Sequence, residues 1–212
     1  MSMADDDYRQ RSAATRRLQT RTKVLAAAQK LLDERGWHGT RLEDVAKEAG
    51  VSIASVHNHF QTKQELVRTI YAPHMGELTI GVLSDLIAQP DQPLLAVERC
   101  IGRLAAYAHH DRALTEAYVL MTADLLSKPS DNNRDQNQTE WINLVVGPLT
   151  SVLSEAQNLH QLRLEQPADE LAFHHGNGLM LRVLRFPEEP PEKTALFVLS
   201  QILPVLKVCE DI

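Results

Sequence analysis

Apolar residues recur along this chain at three- and four-residue spacing, and no segment alternates convincingly with a period of two. The pattern predicts an all-α protein. A first helix is expected over 15–35, with Val24, Ala27, Ala28 and Leu31 on one face and Leu25 and Leu32 beside it. Gly36 is its expected stop, and Trp37 follows as a cover for a small core. A second inward face is made by Leu42, Val45, Ala46 and Ala49, and a third by Val56 and Phe60. Between those two, Gly50 supplies a positive φ for a tight turn and Val51 plugs the corner.

Polar residues mark where these helices begin. Thr40 and Glu43 have the spacing of a capping box, in which hydroxyl and carboxylate satisfy backbone donors reciprocally. Ser52 is placed to cap the third helix, expected to run from Ile53 to about Phe60, and Thr62 with Glu65 repeats the box before the next helix. Two short helices joined at a glycine corner form a helix-turn-helix pattern. It spans residues 40–63, and its second helix carries small and polar side chains suited to base edges.

The next helix starts at Lys63 and is expected to kink or break at Pro73, the joint between a small first unit and a larger remainder. Further helices are expected over 93–110, 111–128, 139–160, 167–186 and 190–209. Polar clusters separate them, and residues 128–138 are expected to be a mobile loop. The organisation predicted is a disordered tail over 1–15, a DNA-binding domain over 16–72, and an all-helical domain over 73–212. The last has room for its own core and for a cavity between helices.

Charge sharpens this division. The net charge of −6 argues against a nucleic-acid partner, but residues 1–72 hold twelve Lys/Arg against nine Asp/Glu, and the remainder holds ten against nineteen. From Arg9 to Lys30 there are seven basic residues and no acidic one. A basic block beside a helix-turn-helix is an electrostatic footprint for phosphates. Two cysteines, Cys100 and Cys209, suggest no disulfide framework and fit a reducing cytoplasm. The N-terminal residues lack the apolar core of a signal peptide, and no run of 18 apolar residues predicts a membrane span.

These residues resemble the DNA-binding domain of the TetR family of transcriptional regulators. The resemblance runs from Arg21 to about Tyr71. Its landmarks are Val24 to Ala28, Leu31-Leu32, Gly36, Thr40, Val45-Ala46, Ala49 to Ser52, His59-Phe60, Lys63 and Glu65-Leu66. It implies a homodimer with two helix-turn-helix heads, paired through the last two helices. It also implies a ligand cavity in the C-terminal domain, and repression relieved by a small effector. The family often has Leu-Tyr in the recognition helix where this chain has Val56-His57.

The third helix is expected in the major groove of double-stranded DNA. Ser52, Ala54, Ser55, His57 and Asn58 are its candidate contacts; Asn58 offers a donor–acceptor pair suited to adenine, and Ala54 offers apolar contact only. Thr40, Arg41 and Lys63 are candidate phosphate contacts, and Arg16, Arg17 and Arg21 are candidates for flanking phosphates or a minor groove. Polar and aromatic residues in the later helices are candidate effector contacts: Arg103, Tyr107, Tyr118, Met121, Trp141, Phe173, His174 and Asn177. On the last two helices, Met180, Leu181, Leu184, Leu196, Leu199, Leu203 and Leu206 form apolar stripes assigned to the dimer interface. The paired histidines do not converge as metal ligands, because neighbours on a helix point about 100° apart. No cofactor and no enzymatic activity are expected, since neither a nucleophile elbow nor a phosphate-binding glycine loop occurs. A constitutive DNA-binding dimer without an effector is the alternative reading.

Overall fold

The computed structural model describes residues 3–127 and 132–209. In order, the elements are α1 (Met3–Gly39), α2 (Leu42–Glu48), α3 (Ile53–His57), α4 (Lys63–Ala88), α5 (Pro93–His110), α6 (Arg112–Leu126), α7 (Asn132–Asn158), β1 (Leu162–Leu164), α8 (Ala168–Arg185), α9 (Pro191–Ile202), a 3-10 turn (Leu203–Val205) and β2 (Leu206–Val208). The chain divides into two compact units, Met1–Ile70 and Tyr71–Ile212.

The first unit is built on the apolar phases read from the sequence. Val24, Ala27, Ala28 and Leu31 of α1 pack with Val45 and Ala46 of α2, Val56 of α3, Phe60 and Leu66, while Leu25, Leu42, Ala49, Val51 and Ile70 close the margins. Gly36 (φ 65°) breaks α1 after Arg35, and Gly50 (φ 66°) turns the corner between α2 and α3. Both adopt the left-handed region that side chains with a Cβ disfavour.

Several local expectations are corrected. α1 is helical from Met3, over residues expected to be a disordered tail. Arg9, Gln10, Arg11, Ala13 and Ala14 are good helix formers, and continuation from an anchored helix needs no new nucleus. Thr40 does not cap α2: Arg41 is the N-cap residue and makes no side-chain bond, while the Thr40 hydroxyl donates to the Gly36 carbonyl oxygen at 2.9 Å. The carbonyl freed by the break at Gly36 has captured it. α3 ends at His57, three residues short of the expected Phe60. α4 continues through Pro73. A proline removes one ladder bond, and here it lies at an exposed position, where water can substitute for the missing donor.

The second unit is helical with one small sheet. Residues 132–138, expected to be loop, belong to α7; the rest of that expected loop, 128–131, lies outside the described residues. The last expected helix stops at Ile202, because Pro204 follows within the next turn. β1 and β2 then pair antiparallel, Leu162 opposite Val208 and Leu164 opposite Leu206. Three-residue strands carry too few positions for a two-residue period to be legible. The core of this unit includes Val97, Ile101 and Leu104 of α5, Leu114, Ala117 and Tyr118 of α6, Val152 and Leu153 of α7, Leu179 and Val183 of α8, and Val198 and Ile202 of α9. Arg182 adds a polar clamp: it forks onto Glu189 at 2.7 and 2.8 Å, and Thr194 donates to the same carboxylate at 3.0 Å. These hydrogen bonds, the Arg182 one foremost, hold the Glu189 carboxyl down at about 2.

Candidate nucleic-acid interface

α3 is short because it is fixed from both ends. At its start, Ser52 accepts from the Ser55 backbone N–H at 3.1 Å, and the two hydroxyls lie 2.9 Å apart. At its end, the Phe60 N–H reaches the Val56 carbonyl oxygen at 2.8 Å and the Phe60 ring is fully buried. Val56 and Phe60 therefore hold one side of the segment in the core. The other side presents Ser52, Ile53, Ala54, His57 and Asn58 to solvent, with Ser55 half-buried. That places five candidate base contacts on one exposed surface: Ser52, Ala54, Ser55, His57 and Asn58. Ser55 reaches it with its hydroxyl already engaged by Ser52.

The candidate phosphate contacts separate into two groups. Arg41 is exposed at the start of α2. Thr40 is buried and bonded to Gly36, so its hydroxyl is unavailable to a phosphate, which corrects that assignment. Lys63 is half-buried. Its ammonium donates to the Trp37 carbonyl oxygen at 2.7 Å and to that of Thr40 at 2.9 Å, and lies 3.7 Å from the centre of the Trp37 ring. Burial lowers the Lys63 pKa, yet the two carbonyls and the ring face favour the charged form. The ammonium thus closes the junction where α1 ends and α2 begins. Thr62 caps α4 by accepting from the Glu65 N–H at 3.1 Å, and the Glu65 carboxylate accepts from the Gln61 N–H at 2.8 Å, one residue earlier than a strict capping box requires.

Arg21 is half-buried, its guanidinium 4.5 Å from the centre of the Phe60 ring. With Ala14, Arg17 and Leu18 of α1 it faces Asn58 and His59 across an open groove of about 320 Å³. His59 is a landmark of the family resemblance and was not among the candidate DNA contacts. Its half-buried ring lines this groove, and its pKa is lowered by burial first and then by Arg17 and Arg21.

In the second unit the candidate effector contacts do not all come together. Tyr118 and Met121 are buried; Tyr118 donates to the Asn177 side-chain oxygen at 3.1 Å, and the Asn177 amide donates to the Phe173 carbonyl oxygen at 2.7 Å. Tyr107 is half-buried against Tyr71 and His74, with ring centres 5.8 and 5.5 Å away, and its hydroxyl is buried without a hydrogen-bond partner. Burial pushes the phenols of Tyr71, Tyr107 and Tyr118 upward, so all three remain protonated at neutral pH. Arg103 instead pairs with Asp85 at 2.7 Å on an exposed edge. Phe173 and His174 are exposed, which removes them from the interior; the side chain of Trp141 lies outside the described residues. The buried histidine of α8 is His175, whose Nδ1 has no partner. Its phase with Leu171, Ala172 and Leu179 was a signal available in the sequence. Among the described residues, no group of three or more His, Cys, Asp or Glu side chains is placed to hold a metal ion, and no helix is long and apolar enough to cross a membrane.

Comparison with known proteins agrees with this geometry. Residues 24–70 match the family model described as bacterial regulatory proteins, tetR family. Over 59 residues the chain is 42% identical to the transcriptional regulator CymR of Pseudomonas putida, covering 28% of this chain and 29% of that one. Over 71 residues it is 32% identical to the transcriptional activator FasR of Mycolicibacterium smegmatis, covering 34% and 32%. The match thus spans about a third or less of the length of these relatives. The fold is shared far more widely: the TetR-family repressor FadR of Thermus thermophilus, solved with lauroyl-CoA, superposes with a TM-score of 0.65 at 19% identity, covering 90% of this chain and 97% of that one. Residues 24–70 thus match the TetR-family DNA-binding domain, and the chain as a whole shares the fold of solved TetR-family structures.

Proposed function

We propose that this regulator binds a palindromic operator as a homodimer, represses from it, and is released by a small-molecule effector. The observation that carries the reading is the exposed surface of α3, with Ala54, His57 and Asn58 outward and Val56 and Phe60 locked inward. Such a helix enters a major groove with its register fixed by the core beneath it. Asn58 reads a base edge, His57 and Arg41 take phosphates, and Lys63 acts by shaping the corner.

Dimerisation is assigned to α8 and α9. Phe173 and Leu181 of α8 and Leu196 and Phe197 of α9 are large apolar side chains exposed to solvent, which a partner surface would cover. Met180 and Leu206, assigned to the same stripes from sequence, are buried within their own unit and take no part. A two-fold axis through these helices yields two recognition helices, and operator symmetry follows.

The effector reading rests on the second unit. Buried polar atoms ordinarily find partners, and the Tyr107 hydroxyl and His175 Nδ1 have none among the described residues. A ligand with a hydrogen-bonding group among apolar atoms would satisfy them. The T. thermophilus relative was solved with lauroyl-CoA, which makes that thioester a reasonable first probe. In this scheme the effector favours a conformation that spaces the recognition helices poorly for DNA, through α4, which carries Pro73. The reading is tested by selecting bound duplexes from a random pool with the full chain, then titrating candidate effectors against the complex. Enrichment of a palindrome and its release by an effector are expected. A palindrome that no effector releases, with Tyr107→Phe and His175→Gln indistinguishable from wild type, favours the constitutive dimer.

A further inference from the structure

Two phenols of the second unit, Tyr71 and Tyr107, touch each other and share a defect. Tyr71 of α4 is 2% exposed, and its hydroxyl has no hydrogen-bond partner among the described residues. The Tyr107 hydroxyl of α5 is buried in the same state. The two rings meet edge-on with centres 5.8 Å apart, and Tyr107 also packs on His74 at 5.5 Å. His74 is exposed, so the pair lies one ring beneath the surface. The Thr115 hydroxyl approaches Tyr71 outside hydrogen-bond geometry, and its own proton is shared by the Ala108 and Asp111 carbonyl oxygens at 3.0 and 3.1 Å. Packing alone would be served as well by phenylalanine, because a buried hydroxyl without a partner only adds a desolvation cost.

The charge around the pair selects what could bond to it. Among the described residues of the second unit no lysine or arginine is buried, and the two half-buried ones, Arg99 and Arg182, are paired with Asp85 and Glu189. Burial first, and the Asp111 carboxylate among the lesser causes, raise both phenols, so each keeps its proton and the field at the pair is negative. An anionic ligand would face Asp111 with no base to balance it. A cationic ligand brings donors only and leaves both O–H groups without an acceptor. An uncharged oxygen acceptor satisfies the hydroxyls at no charge-burial cost, and an apolar remainder packs on the rings.

We infer that Tyr71 and Tyr107 form a ligand site for an uncharged carbonyl compound, whose oxygen accepts from the phenol hydroxyls while its apolar body lies against their rings. This rests on the reading of the second unit as effector-binding, and it names the effector's chemical class. It also brings in Tyr71, which polar character inside the later helices did not single out. Tyr71 lies on α4 two residues before Pro73, so a ligand bonded to it acts directly on the helix through which release is proposed to run.

The test titrates the full chain by calorimetry with three small aromatics that differ in charge: acetophenone, benzoate and benzylammonium. Acetophenone is expected to bind saturably, and each ion more weakly by about tenfold or more. Tyr71→Phe and Tyr107→Phe are each expected to lose about fivefold in acetophenone affinity. Without ligand both variants are expected to melt no lower than wild type, since each deletes an unbonded hydroxyl. A lower melt of either variant means that its hydroxyl is already bonded in the fold, and overturns the proposal. So does an ion that binds as tightly as the ketone, an absence of saturable acetophenone binding, or variants that keep wild-type affinity. If the proposal falls and another compound still releases the chain from its selected palindrome, the effector reading stands. If nothing releases it, both fall together.

Discussion

Lys63 separates two accounts of the same residue. As a surface base at a helix start it would neutralise a phosphate; as the structure places it, its charge is spent inside the protein. Replacing it with Met keeps most of the stem and deletes the ammonium. The carbonyls of Trp37 and Thr40 then lose charge-assisted hydrogen bonds of 2.7 and 2.9 Å. Such bonds contribute about 1.5–3 kcal/mol each when well buried, and less here because Lys63 is only half-buried. The ring contact at 3.7 Å adds about 0.5–1 kcal/mol. Lys63→Met should therefore lower unfolding free energy by roughly 2–3 kcal/mol, a large share of the ~5–15 kcal/mol typical of a domain. Chemical denaturation measures that loss. DNA affinity should fall because the corner between α1 and α2 loosens, but the dependence of log Kd on log salt should keep its slope. A lost phosphate contact lowers that slope by about 0.9 instead. A shallower slope with unchanged stability would refute the internal role and restore the phosphate contact.

Three further outcomes follow from the structure. Gly50→Ala places a Cβ in open space but at φ +66°, so it should cost about 1–2 kcal/mol of stability by denaturant titration through backbone strain alone, with no clash to relieve. His59, His109 and His175 all bind protons less readily in the folded chain, with burial the leading cause for each. Their contribution is therefore complete above the ordinary histidine pKa near 6.5 and is lost as pH falls through it, where the unfolded chain takes up protons first; His175→Gln should flatten part of that acid-side decline in a series of melts. Leu181→Glu puts a charge on the exposed apolar face of α8 and should shift the chain toward monomer in sedimentation while leaving its helicity intact.

Much of the first unit was legible in the sequence because its signals agree across levels. Val24, Val45, Val56 and Phe60 lie in the phases their helices require, and two glycines stand where φ is positive. What misled was local competition for partners. Thr40 carries a capping residue type, but the break at Gly36 left a carbonyl within its reach. Lys63 carries a surface residue type, but two carbonyls and a ring converge on it from residues more than twenty positions away. The second unit was legible as helices and much less as a site. Periodicity marks which positions turn inward, and His175 was in phase while His174 was not. Polar character alone singled out His174 and passed over His175. The small sheet went unread because three residues per strand show no pattern.

The central claim is that α3 reads bases through its outward side chains, and the base preference of Asn58→Ala tests it most directly. Selection from a random duplex pool with wild type and variant should yield the same palindrome with preference relaxed at one symmetric pair of positions, and Asn58→Ala should bind the wild-type site more weakly by about 1–3 kcal/mol. Identical preferences and identical affinity would contradict the placement of this helix on the bases.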